Sequence, residues 1–588
     1  MIHFLSRARP THTAVSEEAR LREAVERAPR SWAAHQALGR YYLDHGQPFE
    51  AIWELDAAHR LAPGEPTISL QLAVALSSGR LYDQAITQLE ELAAQRPPLR
   101  EGRVQLVTLY LGMMRPGKAL AALREAPGAA HWAEGQIALG QVDEALWQSE
   151  AAAAAYQRAH RLAPASSIPL YRLGSLYLRQ GKTAMARDAL EQARQKNGAG
   201  APVLTLLAET GHGVAAERWL RAAREADPGY VPALVALGRL YQRQRRPREA
   251  FQAYAQALQL TPGDPAANEG LADLFQSAGR TAEAHAARAR YFRAKGLPIR
   301  AIQEYEAMAR SPAYRVPAVM EMGLILLETR QKGRAIQVTK AALALHPRDP
   351  ALYERLVVLE MMWDKAQAQR WCEQWRQLEP RSVRPLWLKG RIRADRGDLA
   401  RATQLLQRVV DAEPENMDYA VTLAEVLLRY RDRAELRRAR SLLERAVARP
   451  SADAKTYQDL GQALEQLGQP EAARQAFMRS LDLDPNVSEP YVSLVRLAPQ
   501  VGQPEQAELW GTVVRTVEER LREEMLLSRQ TWEAPNDPAG HRDLALHFLR
   551  NAELRKAESQ LEEALRLRPG WPEAQELLAR VRRTREVL

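Results

Sequence analysis

Apolar residues along this chain fall at i, i+3 or i+4, and i+7, the stripe of an amphipathic helix. The stripes come two to a period. Around residue 240 one stripe runs through Leu237, Gly238 and Tyr241, and the next through Ala250, Tyr254 and Ala257, closed by Pro262. The same order returns at Leu38, Gly39, Tyr42, Ala51, Leu55, Ala58 and Pro63, and at Leu460, Gly461, Leu464, Ala473, Phe477, Ser480 and Pro485. It returns again at Leu544, Ala545, Phe548, Ala557, Leu561, Ala564 and Pro569. Successive copies often lie 34 residues apart, as from Pro380 to Pro414. Each period therefore predicts two helices. No run of β period interrupts the pattern, so the chain reads as all-α.

The punctuation shares this period. Gly46-Gln47-Pro48, Gly468-Gln469-Pro470 and Gly502-Gln503-Pro504 stand at one phase. Glycine ends a helix readily because it enters the left-handed conformation without a Cβ clash. Proline two residues on suits the first position of the next helix, where its missing N–H removes no hydrogen bond. Second helices are expected to end before Pro63, Pro262, Pro347 and Pro485. Small residues recur where two helices must cross closely. These are Gly39, Gly174, Gly238, Gly323, Gly390 and Gly461 on first helices, and Ala51, Ala186, Ala250, Ala335, Ala402, Ala473 and Ala557 on second helices.

A helix–turn–helix with Leu-Gly-x2-Tyr, then Ala-x3-Tyr/Phe-x2-Ala-x4-Pro, resembles the tetratricopeptide repeat. Val231–Asp264 matches it at Leu237, Gly238, Tyr241, Ala250, Tyr254, Ala257 and Pro262. The resemblance covers nearly the whole chain, about 14 helix pairs. It implies an α-solenoid, a right-handed superhelix whose first helices line a concave groove. The style of work it implies is holding peptides, helices or subunits, with no particular ligand specified.

The pattern divides the chain into an N-terminal segment and cap (1–28), repeat blocks at 29–196, 203–485 and 486–570, and a capping helix at 571–588. Departures from the period mark the seams. Residues 99–130 hold a shortened unit cut by Pro127-Gly128, and residues 197–202 form a loop before a short first helix. Residues 293–317 carry an irregular helix pair, and 429–440 about three extra residues. Residues 525–540 form a long insertion in which Trp532–Pro538 is expected to be a loop or extended link. In the final segment Ala574, Leu577, Leu578 and Val581 face inward, while Arg580, Arg582, Arg583 and Arg585 face water, as a solenoid cap requires.

Composition narrows the function classes. One cysteine, Cys372, in 588 residues allows neither an intrachain disulfide nor a cysteine zinc cage. No run of 18 apolar residues appears, so membrane insertion is not expected. The apolar stretch near Met1 is too short for a signal-peptide core, which makes the cytoplasm the expected address. Phosphate-loop, zinc-protease and nucleophile-elbow motifs are missing. Gly211-His212-Gly213 lacks a preceding strand, and the 12 histidines are scattered. No enzyme, cofactor or metal is expected, and Cys372, beside Trp371 and Trp375, reads as packing.

What can face a groove follows from phase. Two positions beyond the repeating Leu stand Arg40, Ser175, Arg239, Asp273, Leu324, Arg391, Glu425, Gln462 and Arg496. Two positions before it stand Gln36, Tyr171, Val235, Met320, Trp387 and Gln458. Candidate peptide anchors are therefore Arg40, Tyr171, Arg239, Arg243, Trp387, Arg391 and Arg496, suited to an acidic-apolar protein segment. The competing reading is that arginine lands anywhere in a chain where it outnumbers lysine 72 to 10. No Lys–Asn pair occupies the inward phase, so a carboxylate clamp is not expected. The net charge of +10, with Arg clusters at 239–248 and 429–440, leaves a nucleic-acid-associated factor as one alternative. That alternative is weakened by interleaved Glu and Asp and by the lack of a helix-turn-helix reader. An assembly factor in a bacterial envelope or secretion pathway is the other.

Overall fold

The computed structural model describes residues 12–94, 99–126, 128, 131–196, 200–430 and 432–588. The expectations placed on Pro127, on Asn197–Ala199, on Arg431 and on the first ten residues lie outside this set. Among the described residues there are 33 α-helices and no strand. Most helices are 12–14 residues long and run in pairs, as in Trp32–Asp44 with Pro48–Leu61, and Val231–Arg243 with Pro247–Leu260. The chain is an α-solenoid of stacked helix pairs.

One spacing rule explains how six of the pairs close. A Cβ placed on Gly39 would lie 2.6 Å from Leu55, on Gly174 2.5 Å from Leu190, and on Gly238 2.4 Å from Tyr254. Gly140 faces Tyr156, Gly390 faces Leu406 and Gly461 faces Phe477 in the same way. In each case the partner lies 16 residues downstream, on the second helix of the pair. The bulky side chain occupies the volume that a first-helix side chain would need, so the axes approach. The seven expected alanines are fully buried on the other side of the contact.

The turns follow a related rule. Gly46, Gly181, Gly279, Gly296, Gly397, Gly468 and Gly502 all take positive φ between paired helices. Arg80, Met114, Trp147, Arg245, Arg330 and Ala552 take the same conformation in other turns, without glycine's freedom from Cβ strain. Pro48 and Pro470 stand at the helix start as expected, whereas the helix after Pro504 begins only at Gln506.

Two compact units emerge, each made of two chain segments: residues 1–105 with 348–525, and residues 106–347 with 526–588. In the first unit, Pro48–Leu61 packs against Pro470–Leu483. Arg474 is buried there, donates to Glu50 at 2.6 Å and to Glu471 at 2.7 Å, and lies 5.0 Å over the Trp53 ring. Trp53 stacks on Trp510 at 6.2 Å, and Gln506 donates to the Trp53 carbonyl. The Phe49 N–H donates to Asp482. In the second unit, Pro572–Val587 packs against Ala133–Ala145.

Several expectations are corrected. Trp532 and Glu533 are not loop: the helix Gln506–Glu533 runs for 28 residues, and only 534–537 turn the chain. Continuous helix absorbs the long period because no Pro or Gly breaks 512–533. Around residue 296 the irregular helix pair is Thr281–Ala294 with Pro298–Ala309, and its irregularity is a third helix in succession. Thr281–Ala294 packs on both Pro265–Ser277 and Pro298–Ala309. It serves as second helix to one neighbour and first to the next. The C-terminal helix buries Ala574, Leu578 and Val581 as expected, but its arginines do not simply face water. Arg583 donates to the Glu144 carbonyl at 3.0 Å and lies over Trp147, and Arg582 pairs with Glu558.

Candidate functional site

First helices stand side by side within each unit, and polar side chains bridge from one to the next. Gln36 donates to Gln71 at 3.0 Å, Trp387 Nε1 to Thr422 at 3.0 Å, and Gln458 to Glu489. Arg496 pairs with Glu465 at 3.1 Å. These links span about one period because equivalent positions on successive repeats are neighbours in space.

In the first unit, Trp387 is half-buried. Tyr419 lies 5.4 Å from it and the Arg391 guanidinium 5.2 Å over its ring. The expected Trp387–Arg391 pair is therefore a formed cation–π contact. Arg40 is largely exposed and lies 3.9 Å from Asp44. Arg496 is exposed but engaged by Glu465 and Ser493. It lines a cavity of about 550 Å³ together with Leu436, Gln458, Gln462, Glu465, Phe477 and Glu489.

In the second unit, Tyr171 packs partly into the cluster of Leu170, Leu190, Leu204 and Leu207. Arg239 and Arg243 are exposed on Val231–Arg243, with Arg239 3.9 Å from Glu269. Both act on Glu209, whose carboxyl is held above its usual range by burial while the two arginines pull it down. The seven anchors thus fall into two groups: Arg40, Trp387, Arg391 and Arg496 in the first unit, Tyr171, Arg239 and Arg243 in the second.

The carboxylates were less legible. Glu425 stood at the inward phase, but Asp459, Glu465 and Glu489 gave no separate signal. Burial, with Asp459 adding to it, lifts the Glu425 carboxyl above its usual range, against the pull of Lys455 and Arg391. Burial likewise lifts Asp459, against the hydrogen bond from Lys455, with Glu489 and Asp453 adding to the rise.

Other reactive side chains are structural. Cys372 is buried among Trp375, Leu388 and Ile392, and burial pushes its thiol up to about 12, far from nucleophilic. His541 is spanned by Gln560 and the Pro535 carbonyl. Among the described residues no set of three His, Cys, Asp or Glu is placed to hold a metal ion, and no helix is long and apolar enough to cross a membrane. Within the Arg clusters, Arg239 pairs with Glu269, Arg246 with Glu217 and Glu249, Arg438 with Glu435 and Arg440 with Glu444, while Arg243, Arg245, Arg248, Arg433 and Arg437 are exposed.

Three segments match family models described as tetratricopeptide repeat, over residues 454–487, 231–274 and 170–197. The chain is similar to cellulose synthase operon protein C of Xanthomonas axonopodis pv. citri (strain 306), 26% identical over 396 residues. The match takes in 56% of this chain and 26% of that protein, so the chain spans about a quarter of its curated relative's length. Among solved structures it is similar to a chain of the APC/C hetero-tetramer Cut9–Hcn1, at 14% identity over 97% of both chains and a TM-score of 0.33. It is also similar to MamA 41-end from Desulfovibrio magneticus RS-1, at 25% identity over 29% of this chain and 95% of that one, with a TM-score of 0.27.

Proposed function

This chain belongs to the tetratricopeptide repeat family, and on that premise we propose that it is a non-enzymatic scaffold holding protein partners along the inner face of its first helices. The observation that carries this is the row of bridged polar side chains between successive first helices. Such a row fixes side-chain positions in advance, which lowers the entropy lost on binding. Trp387, backed by Tyr419 and Arg391, is the anchor in the first unit, which also carries Arg40 and Arg496. Tyr171, Arg239 and Arg243 are the corresponding set in the second.

Affinity capture of the full chain from its native cells, with cross-linking and mass spectrometry, tests the reading. Proteins cross-linked near Trp387 or Arg239, and reduced by Trp387→Ala, are expected. Recovery of no protein above background at any salt concentration overturns it.

A second reading, an assembly factor of a bacterial envelope polysaccharide system, is supported by the similarity to cellulose synthase operon protein C. Deleting the gene and measuring cell-associated polysaccharide tests it; unchanged polysaccharide removes it. The nucleic-acid alternative draws no such support from the relatives, and Arg246, Arg438 and Arg440 of its patches are held by carboxylates.

A further inference from the structure

We infer that the inner face carried by Met417–Leu428, Ala454–Gln466 and Ser488–Leu497 receives a lysine- or arginine-bearing segment of a partner protein. This rests on the scaffold reading above and names the chemistry of what is held.

Four carboxylates occupy this face: Glu425, Asp459, Glu465 and Glu489. Two cations pair with them directly. Lys455 bonds Asp459, and Arg496 bonds Glu465. Glu425 and Glu489 have no cation within ion-pair distance among the described residues, and Glu489 is held only by the amide of Gln458. Asp459 is buried, and its second carboxylate oxygen has no hydrogen-bond partner. The face therefore carries two carboxylates without a direct ion pair, Glu425 feeling Lys455 and Arg391 only at longer range, and one buried acceptor without a hydrogen bond.

The cavity lined by Glu465 and Glu489 suits a long cationic side chain. Its lining combines apolar Leu436 and Phe477 with acceptors from Gln458, Gln462, Glu465 and Glu489 for a charged head, and its own cation, Arg496, is held by Glu465. An acidic segment would meet carboxylates instead. The arginines that could have attracted one are engaged, Arg391 on Trp387 and Arg496 on Glu465. Neutralising Glu425, half-buried beside Asp459, also relieves repulsion already present in the free protein.

The test uses the full chain, with fluorescein-labelled octalysine and octaglutamate as probes, read by anisotropy at low salt. Octalysine is expected to bind and octaglutamate not to. Glu425→Gln with Glu489→Gln should weaken octalysine by about tenfold, within the range for losing partly desolvated charge pairs. Glu518→Gln with Glu519→Gln, the same charge change on exposed positions, should leave it unchanged. Lys455→Gln frees Asp459 and should tighten octalysine, a gain that a damaged fold would not give. Failure of octalysine to bind, equal binding by the Glu425/Glu489 variant, or preference for octaglutamate overturns the inference. Native partners still captured in full by the Glu425/Glu489 variant would overturn it too, while leaving the scaffold reading standing.

Discussion

The tightest geometry in this protein is a ring pressed between two glycines. Tyr254 is fully buried, and a Cβ on either Gly238 or Gly270, from successive first helices, would fall within 2.4 Å of its ring atoms. Its hydroxyl donates to Gln242. Gly238→Ala is therefore expected to cost about 1–3 kcal/mol through overpacking. The check is faster amide exchange in Val231–Arg243 and Pro247–Leu260. Gly263→Ala, which meets open space, should leave exchange unchanged. The turns supply the opposite case. Arg245 is exposed and holds a φ of 57°. Arg245→Gly relieves a left-handed strain of about 1–2 kcal/mol and adds back some backbone entropy to the unfolded chain. A net gain of about 0.5 kcal/mol is expected, seen as a higher thermal midpoint. These positions were legible because a missing or small side chain leaves a periodic mark in the sequence. Which large residue fills the gap was legible only as a spacing.

At the scale of the element, helix length was read less well than helix existence. Pattern alone suggested a break at Trp532, yet 512–533 contains neither Pro nor Gly, and backbone hydrogen bonding carried the helix through. The surroundings of the terminal helix were out of reach, because contacts such as Arg583 with Glu144 join positions 439 residues apart and leave no periodic trace. The groove carboxylates were hidden for a related reason: charge at one inward position says little until its neighbours are known. Packing also sets titration. The Asp482 side chain, on Pro470–Leu483, is buried, and that burial pushes its carboxyl up to about 8, with Glu50 adding to the rise and the Phe49 N–H and Arg479 opposing it. Unfolded, the group titrates near 3.8. Its contribution to stability is fully present below pH 3.8 and is lost as pH climbs towards 8, since only the folded chain keeps the proton in that window. Asp482→Asn retains an acceptor for Phe49 and removes the titration. Its thermal midpoint should match the parent near pH 3.5 and exceed it increasingly up to pH 8, measured by circular dichroism. Equal midpoints at pH 8 would refute this.

At the scale of the molecule, each compact unit is assembled from segments far apart in the chain. In the first, Phe49, Trp53, Arg474, Tyr491 and Trp510 form one aromatic and ionic joint. Trp53→Ala is expected to cost about 3–5 kcal/mol. Arg474 would keep its carboxylates but lose its aromatic cover, so Trp510 fluorescence should report a wetter environment and a lower urea midpoint. A loss confined to residues 32–61 in hydrogen exchange, with 470–517 unaffected, would count against a shared joint. The repeat family was readable from sequence because every copy repeats the signal. The joint was not, since it occurs once per unit.

Joints of this kind set a schedule for biosynthesis. Phe49 and Trp53 leave the ribosome more than 400 residues before Arg474 and Trp510 exist to cover them. At roughly 5–20 residues per second the early helices wait on the order of tens of seconds with an aromatic flank bare. A nascent chain arrested before residue 474 should therefore present a sticky surface that the finished protein conceals, and should draw chaperones in proportion to the delay.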